Sequence, residues 1–173
     1  ASSAGAQHVY AGAGFYVIGV TVRDDDGGAA SAQSAALPVY DVQGGAMVGA
    51  GWVAEANDGG RHRDKALFEV DARYDRRSGS ARGHFILFDK DDRQLLRGES
   101  FQYLVVDGQS AVLRGSGVQR NGARIEFIVS ALDGKAAGKN GLIGLIANRG
   151  TTPDLIRIKV WNGASGEVLF DTN

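Results

Sequence analysis

The sequence predicts an all-β protein, an antiparallel β-sandwich of Ig-like or jelly-roll-like type, and three observations support this prediction. Apolar and polar side chains alternate with a period of two, which is typical of strands that bury one face. Asn-Gly and Asp-Gly pairs separate the alternating runs, and such pairs favour tight hairpin turns. The runs recur about every 8 to 12 residues, a spacing that indicates antiparallel strands rather than βαβ units.

The first two predicted strands cover residues 14–23 and 30–39. In the first strand one side is apolar and is formed by Tyr16, Ile18, Val20 and Val22. The second strand is rich in Ala, Ser and Gln. Aromatic and charged content rises after residues 38–41, so we expect a domain boundary there, between an N-terminal segment (1–38) and a β-sandwich module (39–173).

Alternation continues through the module. The side predicted to face the core carries the even-numbered residues from Ala66 to Tyr74, and the odd-numbered residues from Ile125 to Ala131. The predicted strands of the module cover residues 46–54, 65–75, 82–89, 95–106, 110–119, 123–132, 142–147, 154–161 and 167–171. Two segments, 57–64 and 134–141, are predicted to be long loops because they are rich in glycine and charge.

Composition excludes several classes of function. Hydrophobic residues make up 43% of the chain, which is enough for a packed core. The net charge of −1 gives no electrostatic basis for binding nucleic acid or an anionic membrane. Cysteine is absent, so the chain has no disulfide, thiolate zinc site or cysteine nucleophile. No run approaches the roughly 20 apolar residues that span a bilayer, and we expect no membrane insertion.

Residues 8–28 contain His8-Val9-Tyr10-Ala11, the apolar strand with Tyr16, and the Asp24-Asp25-Asp26-Gly27-Gly28 turn. This run resembles the last strands of a PKD (polycystic-kidney-disease type) repeat, an Ig-like extracellular β-sandwich. The opening strands of such a repeat are missing before it, so the resemblance implies a two-strand Ig-like remnant. PKD repeats space, present or adhere, which implies a structural role.

The remainder of the chain carries a second resemblance. It is based on Val39-Tyr40-Asp41, Gly51-Trp52-Val53, Arg157-Ile158-Lys159-Val160-Trp161 and Gly166-Glu167-Val168-Leu169-Phe170-Asp171. These motifs are similar to a β-rich module that follows PKD repeats in large secreted bacterial proteins. The resemblance implies an extracellular or cell-surface location after removal of a signal peptide, and it implies no particular chemistry.

Carboxylates are the candidate metal ligands. Asp133 and Asp154 are candidate calcium ligands if the segment between them folds back, because calcium prefers oxygen donors. Asp24, Asp25 and Asp26 are a weaker candidate set, and a solvated hairpin turn explains them better. No other cofactor is expected.

Aromatic residues are the candidate ligand-binding side chains. Trp161 falls on the polar side of its strand, and Trp52 is the second candidate, so both are considered for a sugar-stacking platform. The alternative is structural: Trp161 packs under a loop or on a second layer, and Trp52, like Phe127, belongs to the core.

Catalytic motifs are not found in the sequence. It contains neither a G-x-S-x-G nucleophile elbow nor a paired-histidine zinc motif. A carboxylate pair such as Glu69 and Glu126 lies on the polar side of alternating strands, where solvated charges are expected. The sequence therefore predicts that the protein is not an enzyme.

The expected function is that of an extracellular structural or adhesion module. Its partners are other copies of itself or neighbouring surface-protein domains, and the N-terminal strands, with Tyr16, Ile18, Val20 and Val22, are the candidate assembly residues. Strand exchange through them would build fibres, because exposed strand edges pair with other chains. The alternative function is a carbohydrate-binding module with an exposed aromatic site.

Overall fold

The computed structural model describes residues 5, 7–55, 65–90, 93–134 and 154–172. Within these residues the chain forms β-strands and no helix. The prediction of an all-β antiparallel fold is therefore confirmed. The strands are β1 (Gly14–Tyr16), β2 (Gly19–Arg23), β3 (Ala29–Gln33), β4 (Leu37–Val39), β5 (Ala46–Ala54), β6 (Lys65–Tyr74), β7 (Ala81–Asp89), β8 (Gln94–Asp107), β9 (Ser110–Gln119), β10 (Arg124–Leu132), β11 (Leu155–Asn162) and β12 (Val168–Asp171).

The main sheet contains the eight strands from β5 to β12, and each strand pairs antiparallel with its neighbours in sequence. Its edges are β5 and β12. The predicted strands of residues 46–132 and 154–171 agree with it to within a residue or so. The predicted strand at 142–147, the loop at 57–64 and all but the first residue of the loop at 134–141 lie outside the described residues.

The main sheet curls because β8 bends. β7 pairs with β8 only between residues 85–89 and 94–98, and β8 then shifts register twice against β9, at Gly98/Ser100 and Phe101/Tyr103. Such irregularities increase local twist and bend a strand. The two halves of the sheet consequently enclose one core, consistent with a β-sandwich.

The centre of the core is aromatic. The ring of Phe127 on β10 stacks on Phe85 of β7, with 4.5 Å between centroids, and Phe101 meets it edge to face. Two glycines make room for this ring: a Cβ added at Gly98 or Gly115 would lie 3.0 Å or less from Phe127 atoms. The even positions of β6 and the odd positions of β10 are buried, so the alternation predicted for these strands is confirmed.

The N-terminal hairpin (residues 14–39) forms two small sheets, β1–β4 and β2–β3. The sequence predicts one continuous strand over 14–23 and another over 30–39, and the structure interrupts both. Residues 35 and 36 lie opposite Val17, so the pairing shifts by one position between Tyr16↔Leu37 and Gly19↔Gln33. At this interruption the Ile18 N–H donates to Ser34 Oγ, and the Ser34 N–H donates to the Ile18 carbonyl.

The base of the hairpin lies against the main sheet. β1 and β4 both contact β8, and the ring of Phe15 meets Tyr103 edge to face at 6.0 Å. Val105 of β8 is buried although it does not belong to the main core cluster. β4 spans the predicted boundary between residues 38 and 39, so hairpin and module are joined by a short connection to β5.

Candidate functional site

The distal part of the hairpin, here called the ribbon (β2 and β3), is the most exposed part of the described fold. Every residue of both strands is exposed, and their only extensive contact with another described strand is with each other. One face is apolar, with Val20 opposite Ala32 and Val22 opposite Ala30. On the opposite face the hydroxyls of Thr21 and Ser31 are hydrogen-bonded at 2.9 Å.

The predicted apolar side with Tyr16, Ile18, Val20 and Val22 is not a buried face. Val20 and Val22 are 54% and 64% exposed, and no described strand packs over the ribbon. Ile18 lies at the interruption and is also exposed. Tyr16 belongs to β1, where its ring lies 4.4 Å from that of Tyr10 and its hydroxyl donates to the Gly12 carbonyl.

The tip of the ribbon is an acidic turn. The Gly28 N–H donates to the Asp24 carboxylate, and the Asp24 N–H donates to the Gly28 carbonyl. The interpretation of Asp24, Asp25 and Asp26 as a hairpin turn is thus confirmed. In the part of the chain that the structure describes, no three or more His, Cys, Asp or Glu side chains are grouped so as to hold a metal ion.

Tyr74 of β6 contacts both β8 and the segment that joins the hairpin to β5. Its hydroxyl accepts a hydrogen bond from the Leu104 N–H at 3.0 Å, across the gap that opens between β7 and β8. Its ring stacks on Tyr40, with centroids 5.0 Å apart. Burial raises the pKa of Tyr74 to about 12, although the hydrogen bond from Leu104 acts in the opposite direction.

Arginines surround the β6–β7 turn at the same end of the sheet. Arg76 and Arg77 are exposed, and neither forms an ion pair with another described residue. Asp75 organises the turn by accepting hydrogen bonds from the Ser78 and Arg77 N–H groups. The Ser78 hydrogen bonds lower the pKa of Asp75, and its ion pair with Arg82 at 2.8 Å acts in the same direction.

Trp52 is not in the core, and the preference for a core position was wrong. It is 57% exposed on the outer face of β5. Met47 and Val53 occupy the opposite parity and are buried, so Trp52 necessarily points away from the core. It begins an apolar row across the outer face: Trp52 lies opposite Leu67, Leu67 opposite Phe88, and Phe88 opposite Leu95. Lys90 Nζ lies 6.0 Å from the indole centroid.

Trp161 lies on the outer face of β11 and is half-buried, as its polar-side position predicts. The Arg114 guanidinium lies 5.6 Å from its ring centroid, within the range of a cation–π contact. Arg114 also pairs with Glu126 at 3.0 Å. Trp52 and Trp161 are on β5 and β11, with five strands between them in the sheet, so they do not form one aromatic platform.

Asp133 and Asp154 are brought together at the end of the β10–β11 pair. The last paired residues are Leu132 and Leu155, and the two aspartates are the next residues on either side. The Asp154 carboxylate accepts a hydrogen bond from the Gly134 N–H at 2.9 Å. A shallow groove of about 340 Å³, lined by residues from the ends of β9, β10 and β11, lies nearby. Calcium binding by this pair remains a prediction.

The two carboxylates considered for catalysis are on different strands and have different partners. Glu69 on β6 is 3.0 Å from His84 on β7. Glu126 on β10 pairs with Arg114 on β9. Glu69 is thus hydrogen-bonded across strands to His84, and Glu126 forms a cross-strand ion pair on the outer face, where such pairs are weak because water screens them.

No helix in the described ranges has the length and apolar character needed to cross a bilayer. Comparison of the chain with protein-family models, curated proteins and solved structures finds no match.

Proposed function

We propose that this protein is a non-catalytic structural module of a secreted or cell-surface protein, and that it joins other copies of itself or neighbouring domains through its N-terminal hairpin. The observation that carries this proposal is the fully exposed ribbon with its apolar face. Isolated two-stranded hairpins are at best marginally stable in water. A ribbon that exposes Val20 and Val22 gains stability when a partner covers that face.

The backbone of the ribbon supports the same proposal. A two-stranded sheet has an unpaired row of N–H and C=O groups along each outer edge, and these groups pair readily with another strand. Proteins usually block such edges with charge or proline, yet β2 carries only Arg23 at its end and β3 has no charge. The ribbon is therefore suited to strand addition, in which main-chain hydrogen bonds supply the affinity.

The secreted or surface location is part of the proposal and is based on the resemblance to PKD repeats and their following module. The absence of cysteine is compatible with it, because a core of this size does not depend on disulfides. The assembly mechanism does not require calcium at Asp133 and Asp154.

The proposal is tested by charging the apolar face of the ribbon. Full-length protein at micromolar concentration is examined by sedimentation velocity and negative-stain electron microscopy, alongside Val20→Lys/Val22→Lys. We expect concentration-dependent fibres or chains from the unmodified protein. The double variant should remain monomeric, because burying two ammonium groups in the interface between copies is unfavourable.

The matched control is Thr21→Lys/Ser31→Lys, which adds the same charge to the polar face of the ribbon. This control should still assemble. Monomers at every concentration of the unmodified protein would contradict self-assembly. Equal loss in both double variants would show that net charge, and not the apolar face, controls association.

Glycan binding is the second candidate function, and exposed Trp52 is the observation in its favour. It is less well supported because the two tryptophans are on distant strands and Trp161 is already covered in part by Arg114. Quenching of indole fluorescence by an oligosaccharide, lost in Trp52→Ser, would support it.

A further inference from the structure

The two edges of the main sheet differ in how well they are protected against another chain. β12 has four residues, its pairing with β11 shifts register at Val160/Trp161, and its last residue, Asp171, forms ion pairs with Arg157 and Lys159. Short length, irregular pairing and charge are features that block an edge. β12 is therefore a protected edge.

β5 has none of these protective features. It has nine residues, pairs with β6 in unbroken register along its whole length, and contains no polar side chain (AMVGAGWVA). Its core-facing side is covered, but Ala50, Trp52 and Ala54 are exposed on the outer face. A long, uncharged edge with an apolar exposed face is a template for an added strand.

We infer that β5 of one copy receives β2 of the ribbon from a second copy, an inference that rests on the proposed function. Among the described strands, nothing pairs with the outer edge of either β2 or β5, and both strands are free of charge in their middles. With β2 added antiparallel to β5, the backbone groups of Thr21 and Trp52 both face the shared edge, because the even residues of β2 bond to β3 and the odd residues of β5 bond to β6. Thr21 therefore lies on the outer face with Trp52, and Val20 and Val22 continue the core-facing side of β5, where apolar cross-strand neighbours are favourable.

Charge sets the direction of the added strand. The acidic tip with Asp24, Asp25 and Asp26 is complementary to Arg76 and Arg77 on the β6–β7 turn, near the Ala46 end of β5. With the tip at that end, β2 runs antiparallel to β5, as do all neighbouring strands in the sheet. The reverse direction would leave the arginines without this partner and would make the new pair parallel.

This direction makes the contact head-to-tail. Each copy's own hairpin leads into β5 through residues 40–45, so it leaves the module at the Ala46 end. The hairpin received from another copy enters from the Ala54 end. Donor and acceptor surfaces are different, so the contact is heterologous, and repeated contacts give an open chain unless the rotation closes a ring.

Cross-linking tests the acceptor, and the absence of natural cysteine makes single-cysteine variants unambiguous. Thr21→Cys is mixed with Ala50→Cys on β5, or with Val168→Cys on β12 as the matched control, in the full chain at an assembling concentration. A short bismaleimide removes dependence on the exact register, and a small tag on one partner identifies the mixed dimer by mass. We expect the Thr21/Ala50 mixture to yield several-fold more mixed dimer than the Thr21/Val168 mixture.

The other outcomes separate this inference from the proposed function. Equal or greater yield with Val168→Cys, or Thr21→Cys joined mainly to itself, would overturn β5 as the acceptor while leaving self-assembly intact. If no mixture is cross-linked and the unmodified chain sediments as a monomer throughout, the proposed function fails and the acceptor assignment fails with it.

Discussion

The ring of Phe127 shows how single residues determine this core. It is fully buried, stacked on Phe85 and placed directly over Gly115, its partner on the neighbouring strand. A Cβ added at Gly115 would lie 2.4 Å from Phe127 Cζ and 2.4 Å from the Ser100 carbonyl oxygen. The Phe127 ring cannot move freely because it is in the packed core, and the Ser100 carbonyl cannot because it is backbone at the bend of β8.

Gly115→Ala is therefore predicted to destabilise the protein by about 1 to 3 kcal/mol, the usual cost of overpacking a core. Urea unfolding followed by tryptophan fluorescence measures this change. Gly19→Ala is the matched control, since an added Cβ there meets nothing within 4 Å. Equal stability of both variants would contradict the packing described for Phe127.

Tyr74 gives a prediction about pH. Its pKa in the folded protein is raised from 10.0 to about 12, so the folded state holds this proton more tightly than the unfolded state. Its contribution is fully present below pH 10 and is lost as pH rises through 12, a loss of at most about 3 kcal/mol. Unfolding free energies measured from pH 9 upwards should fall more steeply in the unmodified protein than in Tyr74→Phe.

At neutral pH, Tyr74→Phe should itself be less stable by about 1 to 3 kcal/mol, because the Leu104 N–H loses its acceptor. Tyr103→Phe is the control, since it retains the ring that meets Phe15 and leaves the Tyr74 bond intact. A parallel pH dependence in Tyr74→Phe and the unmodified protein would exclude Tyr74 as the titrating group.

At the level of secondary-structure elements, the hairpin consists of two parts with different support. β1 and β4 contact β8, whereas the ribbon has extensive contact only within itself. Local opening requires little energy where few apolar contacts are broken. The ribbon should therefore open independently of the sandwich.

Hydrogen exchange measures this difference. In dilute, monomeric protein we expect the amides of β2 and β3 to exchange with little protection, and those of β9 and β10 to exchange only through global unfolding. At concentrations where chains form, protection should appear in both the ribbon and β5. Strong protection of the ribbon in the monomer would mean that the same chain already covers it.

The elements also show what the sequence could and could not predict. Alternation located the strands well, because buried residues such as Phe68 and Phe127 share their strands with outward-facing charged residues such as Glu69 and Glu126. The same pattern at Val20 and Val22 was misleading, since alternation identifies an apolar face but not whether anything covers it. In β5, where every side chain is apolar, there was no alternation to indicate that Trp52 faces outward.

On the scale of the whole molecule, the proposed donor and acceptor lie on different surfaces of one chain. The donor ribbon leaves the module near the start of β5, and the acceptor is the edge of β5 that pairs with no other described strand. The interruption between β1 and β2 separates a docked base from an exposed ribbon. The arrangement of charge, acidic at the ribbon tip and basic at the β6–β7 turn, favours one direction of pairing.

Separating donor from acceptor gives the last prediction. Val20→Lys/Val22→Lys has a disabled ribbon and an intact β5, whereas Ala50→Pro has an intact ribbon and an acceptor edge that lacks one N–H donor. The Ala50 N–H points away from β6, so proline there removes no hydrogen bond of the main sheet. Each variant alone should be monomeric. Mixed in equal amounts, they should form dimers of twice the 18.2 kDa chain mass and nothing longer, as measured by size exclusion with light scattering. Long chains from the mixture, or no association, would contradict a single heterologous contact.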